Sequence, residues 1–308
     1  MAAPEPDRAI AHNDLPLPSP PFIHVPGLAN LRDAGGYAIE GKPGKAVRRG
    51  VLFRSADLTR LEDEGVALLR PLGITHVFDL RSVTELAKGG HPPPRTWEGA
   101  ARVFVPVFLD KDYSPEALAL RFRNYSDGPE GFVKAYAAIL ASAAEPDHPY
   151  SPFRTVLEHI ASSPTPSPLL VHCTAGKDTL ILALCNLPDE AIAHEYSLTD
   201  LGLAPRKEEI VQHLIRPGEA LSGDRERAER MVSARWLTPP PRKENMLGTL
   251  ALLRARYGSV ERYVVDHLGV SQASVEQIRK NLIVDLADGE EPLDWRSHAA
   301  GLAGEPRL

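Results

Sequence analysis

Residues 169–178 read Leu-Leu-Val-His-Cys-Thr-Ala-Gly-Lys-Asp, and no other stretch constrains the fold of this chain as much. A short apolar run delivers a cysteine into a small loop containing glycine, and a second apolar segment opens at Leu180. Strand, loop and helix in that order build an anion cradle. The loop's backbone N–H groups converge on one point, and the next helix's N-terminus adds partial positive charge. A cysteine held there is a thiolate near neutral pH, because the field that binds an anion also lowers a thiol pKa.

The rest of the chain agrees with such a unit. Val51–Arg54, Ile74–Leu80, Arg102–Phe108 and Leu169–His172 are short apolar or β-branched runs that read as buried strands. Leu58–Leu69 has helical spacing, with Thr59 as its predicted N-cap and Glu62 three residues on, a capping-box pattern. Phe132–Ala144 and Pro152–Ala161 read as helices leading to the cysteine strand. Strands separated by helices predict an α/β fold, a mostly parallel central sheet flanked by helices on both faces. Cys173 then falls at the carboxyl end of its strand, the edge where open α/β sheets bind ligands. Residues 1–21, closed by Pro16, Pro18, Pro20 and Pro21, are expected to form a disordered tail, and residues 284–308 another. That leaves one domain over 22–283.

Composition narrows the function classes. At 43% hydrophobic and 25% charged the chain is globular, and a formal charge of −6 argues against a nucleic-acid or membrane-surface binder. No apolar run approaches a membrane span, so no stable membrane insertion is expected. The two cysteines, Cys173 and Cys185, give no disulfide framework, and the amino terminus lacks a signal peptide's apolar core. The cytoplasm, with the nucleus as alternative, is the expected compartment. No metal-ligand spacing stands out among the eleven histidines, and no metal or other cofactor is expected.

The loop Val-His-Cys-Thr-Ala-Gly-Lys-Asp resembles the active-site loop of the cysteine-dependent protein tyrosine phosphatases. It is closest to the tyrosine/phosphoinositide branch whose loop reads His-Cys-x-x-Gly-Lys-Asp-Arg-Thr-Gly. Other blocks resemble the same family in the same order: Asn30-Leu-Arg-Asp-Ala-Gly-Gly-Tyr37, Arg54-Ser55, Asp79-Leu-Arg-Ser82, residues 180–200, and the stretch from Met246 to Leu282. The resemblance implies a tyrosine-phosphatase-like fold with helical lid insertions near 109–131 and 205–245. A solvated helix face with i,i+4 charge pairs reads equally well for those polar segments. It also implies a phosphorylated protein or phosphoinositide as substrate, attacked through a cysteinyl-phosphate.

Cys173 is the candidate nucleophile; Cys185 lacks any such context and reads as core. Thr174, Ala175 and Gly176 offer backbone donors to a phosphate, and Lys177 adds positive charge. Asp178 can protonate the leaving oxygen and later activate water, with Asp110 and Asp112 as weaker candidates for that acid. By resemblance, His172 orients the loop.

One part departs from the pattern. Thr179 stands where the family has its arginine, and no arginine occurs between Arg154 and Arg206. A guanidinium offers two parallel hydrogen bonds to a phosphoryl group, whereas Thr179 offers one neutral hydroxyl to the phosphate site. Arginines so placed contribute on the order of 10³–10⁵ in rate. The following helix is also about six residues shorter than the family's, more than one and a half turns at 3.6 residues per turn. The chain as written is therefore expected to be a slow phosphatase. The alternative is a phosphate-binding module that does not cleave, and sulfur transfer on a similar anion loop is a distant third.

Overall fold

The computed structural model describes residues 17–88, 95–114, 116, 117, 120, 124, 128–173, 180–216, 223–226, 228, 229, 242–297 and 299. The four expected strands form, the one read over Arg102–Phe108 only as Ala101–Phe104, and a two-residue strand not expected from the sequence, Arg32–Asp33, joins them. β1 (Arg32–Asp33), β3 (Leu52–Ser55), β4 (His76–Asp79), β5 (Ala101–Phe104) and β6 (Leu169–His172) make one sheet in the order β1-β3-β6-β4-β5. All neighbours pair in parallel except β1, which closes one edge antiparallel to β3. The cysteine strand β6 is thus central, with β3 and β4 on either side.

Side-chain alternation along these strands sends successive residues to opposite faces. Leu52, Phe78, Leu169 and Val171 enter one core, while Phe53, Val77 and Leu170 enter the other. The second core is covered by α1 (Asp63–Leu69) and the loop around Val25, Leu28 and Leu31. The larger core is covered by α3 (Gly128–Ala143), α4 (Pro152–Ala161), α5 (Leu180–Leu184), α6 (Asp189–Ser197), α9 (Arg242–Tyr257) and α11 (Gln272–Leu282). Helix α3 buries Phe132, Tyr136, Leu140 and Ala143, the three-and-four spacing of one helical face. Cys185 is fully buried in this core, and burial pushes its thiol up to about 12. The short α2 (Val83–Lys88), α7 (Thr199–Leu203) and α8 (Lys207–Leu214) lie in the connections. Among the described residues no helix is long and apolar enough to cross a membrane.

Three expectations are corrected. The helix read over Leu58–Leu69 starts only at Asp63, with Glu62 as its N-cap residue and no side-chain cap. Asp57 captures Thr59 instead, accepting from both its N–H and its hydroxyl, a local turn that competes with helix initiation. That helix ends through a short 3-10 turn at Gly73, whose φ of +66° a side chain would resist. Residues 284–295 are not a free tail. β7 (Ile283–Asp285) pairs antiparallel with β2 (Lys45–Val47), Leu293 donates its N–H to the Gly36 carbonyl, and Trp295 packs on the larger core. At the other end, Pro18 and Pro21 already accept backbone hydrogen bonds from Phe22 and Asp33, so order begins before residue 22.

Within 109–131 and 205–245 the described residues include a 3-10 turn over Asp110–Tyr113, and α8. Val211 of α8 packs with Leu203 on Ala56, the residue just after β3, and so covers one end of the sheet.

Candidate active site

Parallel pairing brings three strand ends to one edge. Ser55, His172 and Asp79 are in register, so Ala56, Cys173 and Leu80 leave the sheet side by side. The Leu80 N–H donates to the His172 carbonyl at 2.9 Å, fixing the end of β4 against the cysteine strand. Cys173 is half-buried there, at the rim of the larger core.

His172, just before it, is fully buried, and neither ring nitrogen has a hydrogen-bond partner among the described residues. Its Nε2 lies 3.7 Å from Asp79 Oδ1, too far for a hydrogen bond. Burial pushes the imidazole down to about 4, with Arg81 and Arg102 adding to the effect and Asp79 only partly opposing it. His172 is therefore neutral near pH 7 and unsuited to proton transfer. Its bulk supports the strand end.

Asp79, fully buried, organises the edge. Its Oδ1 accepts from Arg81 Nε (2.9 Å) and from the Arg81 backbone N–H (3.1 Å). Its Oδ2 accepts from Arg81 Nη2 (2.9 Å) and Arg102 Nη2 (2.8 Å). Burial alone would raise this carboxyl; the two guanidiniums outweigh it and hold Asp79 at about 2. A second carboxylate, Asp57, follows β3. Burial would raise it too, but Arg206 Nη1 at 2.8 Å and the Thr59 hydroxyl bring it to about 2. Arg206 spends its remaining nitrogens on Glu209, Nε at 3.1 Å and Nη2 at 2.9 Å. The nearest arginine after the loop in sequence is thus committed to two carboxylates.

A third ionic group lies deeper. Arg32 Nε donates to Glu195 Oε1 at 2.7 Å, Arg54 Nη1 donates to Glu195 Oε2, and Arg32 also bonds Asn30 and Thr199. Burial lowers the Arg32 guanidinium to about 10, partly offset by Glu195. A Cβ on Gly202 would lie 2.1 Å from Asn30 Oδ1, so α7 can approach this group only as glycine. The cluster draws together Asn30–Asp33, Arg54 and Glu195–Thr199, three separate blocks of the sequence.

Of the candidate site residues, Cys173 and His172 stand together at the carboxyl end of the central strand. Thr174, Ala175, Gly176, Lys177, Asp178 and Thr179 lie outside the described residues. Asp112 is used locally, its Oδ2 accepting the Leu109 N–H at 2.8 Å to close the 3-10 turn. Sequence reasoning missed the roles of Asp79, Arg81, Arg102 and Asp57. The available signal was a strand ending in Asp-Leu-Arg-Ser, where a carboxylate and an arginine two residues apart can meet at a sheet edge.

Parallel strands, a half-buried cysteine at the end of the central one, and arginines gathered beside it are the frame of a cysteine-dependent phosphatase. The chain belongs to the tyrosine phosphatase family, whose model matches residues 23–284, and by that membership it is a phosphatase hydrolase. It is also 31% identical over 294 residues to the triple specificity protein phosphatase PtpB of Mycobacterium tuberculosis (strain ATCC 25618 / H37Rv). That alignment takes in 84% of this chain and 98% of the relative.

Proposed function

We propose that this chain hydrolyses phosphomonoesters of phosphotyrosine, phosphoinositide or both, with Cys173 as nucleophile. The observation that carries the reading is the place of Cys173: the carboxyl end of the central parallel strand, in the family's loop motif. The Cys173 thiolate attacks phosphorus, and the P–O bond to the leaving group breaks as Asp178 gives that oxygen its proton. Asp178, now a carboxylate, takes a proton from water; the water oxygen attacks phosphorus, the S–P bond breaks, and inorganic phosphate leaves. Backbone N–H groups of Thr174, Ala175 and Gly176 and the charge of Lys177 hold the phosphate meanwhile. With Thr179 in place of arginine the rate is expected to fall by up to the order of 10³–10⁵. The working compartment proposed is the cytoplasm or nucleus, in keeping with a sequence whose two cysteines give no disulfide framework.

Steady-state turnover of an aryl phosphate, a phosphotyrosine peptide and a soluble inositol phosphate tests this reading. Slow turnover that vanishes in Cys173→Ser is expected. Turnover that persists in that variant removes Cys173 from the mechanism. Phosphate binding without turnover gives the chain the role of a binding module, a reading favoured only by Thr179.

A further inference from the structure

The reaction proposed above lacks its usual guanidinium, and the strand edge holds a replacement. Resting on the reading of Cys173 as nucleophile, we propose that Arg81 binds the substrate phosphoryl group in place of the arginine absent from position 179. Arg81 stands two residues beyond β4, on the strand paired directly with β6, and Leu80 between them is bonded to His172.

The other arginines of this region are spent or misplaced. Arg32 and Arg54 are sealed around Glu195. Arg206 has all three guanidinium nitrogens on Asp57 and Glu209. Arg102 belongs to β5, one strand further from Cys173, and its guanidinium carbon stands 5.1 Å over the Phe104 ring. Arg81 uses Nε and Nη2 on Asp79, while its Nη1 has no hydrogen bond among the described residues. Two donor protons on that nitrogen remain for a ligand.

The group is also held rigidly. Next to it, Ser82 and Glu85 cap α2 reciprocally: the Glu85 N–H donates to Ser82 Oγ at 3.0 Å, and the Ser82 N–H donates to Glu85 Oε2 at 2.9 Å. Asp79 fixes both the backbone and the side chain of Arg81, so a phosphate meets a prealigned donor. One nitrogen cannot supply the two-pronged contact of a free guanidinium, so the replacement is partial. A slow enzyme follows.

The test is calorimetric titration of the full chain with inorganic phosphate. The parent is Cys173→Ser, which removes the nucleophile and keeps the site, and Arg81→Ala and Arg81→Lys are added to it. Removing one charge-assisted donor should weaken phosphate binding on the order of 10–100-fold. Arg81→Lys keeps a cation for Asp79 but cannot hold Asp79 and reach the phosphate together. It should melt like the parent and still bind at least about tenfold more weakly. If Arg81→Ala unfolds, the lysine variant alone decides. Phosphate binding unchanged in the folded variants overturns the role of Arg81 and leaves Cys173 as nucleophile untouched. A parent that binds no phosphate, with wild-type chain that turns over no aryl phosphate, overturns the reading of the site itself and this inference with it.

Discussion

The molecule holds two groups of the same make-up, one carboxylate between two arginines: Glu195 between Arg32 and Arg54, and Asp79 between Arg81 and Arg102. Their surroundings differ. All three members of the first are sealed, at 0–1% exposure, whereas in the second Asp79 is sealed, Arg81 is 7% exposed and Arg102 27%. A sealed group can only offset its own desolvation and fix how β1, β3 and α6 meet. The group at the sheet edge reaches solvent through Arg102. Placement, rather than composition, separates the sealed cluster from the one proposed to bind phosphate.

The largest test of that contrast is Glu195→Ala. It removes the carboxylate that two buried guanidiniums share, and stability should fall by about 3–5 kcal/mol. Urea unfolding reads this directly, and a loss under about 1 kcal/mol would mean the sealed group is not structural.

Next in size is a pH effect at His172. Its folded value, about 4, lies below the ordinary 6.5, so between those values the unfolded chain takes up a proton that the folded chain refuses. Its contribution is complete above 6.5 and is lost as pH falls toward 4, about 3 kcal/mol in all. Urea midpoints at pH 7.5 and 4.5 should show the fall, and His172→Asn should flatten it.

Asp79→Asn should cost less than Glu195→Ala, about 1–3 kcal/mol, because Arg102 can turn to water. The Asp79 carboxyl is held at about 2, below its ordinary 3.8, so its contribution is complete above 3.8 and disappears as pH falls through 2. Acid unfolding of the variant should therefore be shallower below pH 3.8. The smallest effect belongs to an exposed pair, Arg254 with Asp189 at 2.6 Å. Arg254→Ala should change stability by less than about 1 kcal/mol, with salt reducing even that.

The sheet was legible because its strands are short apolar runs with turn signals between them, and Leu169–His172 is found at the residues its sequence implies. Helix α4 likewise occupies Pro152–Ala161, with proline at its first turn where the missing N–H does no harm. Thr59 misled because a capping pattern cannot show that Asp57, two residues earlier, takes the same hydroxyl. The docked end of the chain was hidden for a different reason. β7 is three residues long and Leu293 and Trp295 are isolated apolar residues, so no periodicity announces their burial. The sealed cluster joins residues 163 and 141 positions apart, which no local pattern encodes. Asp79 and Arg81 were visible as a motif, but their work depends on Arg102, which only strand pairing brings near.

The central claim is that phosphate passes through the sulfur of Cys173. Acid-quenching the wild-type chain during turnover of an aryl phosphate, then mapping phosphorylated peptides by mass spectrometry, tests it most directly. The account predicts a phosphoryl adduct on the peptide containing Cys173 and none in Cys173→Ser. Turnover without an adduct on that peptide, or an adduct equally abundant in the serine variant on another residue, would contradict it.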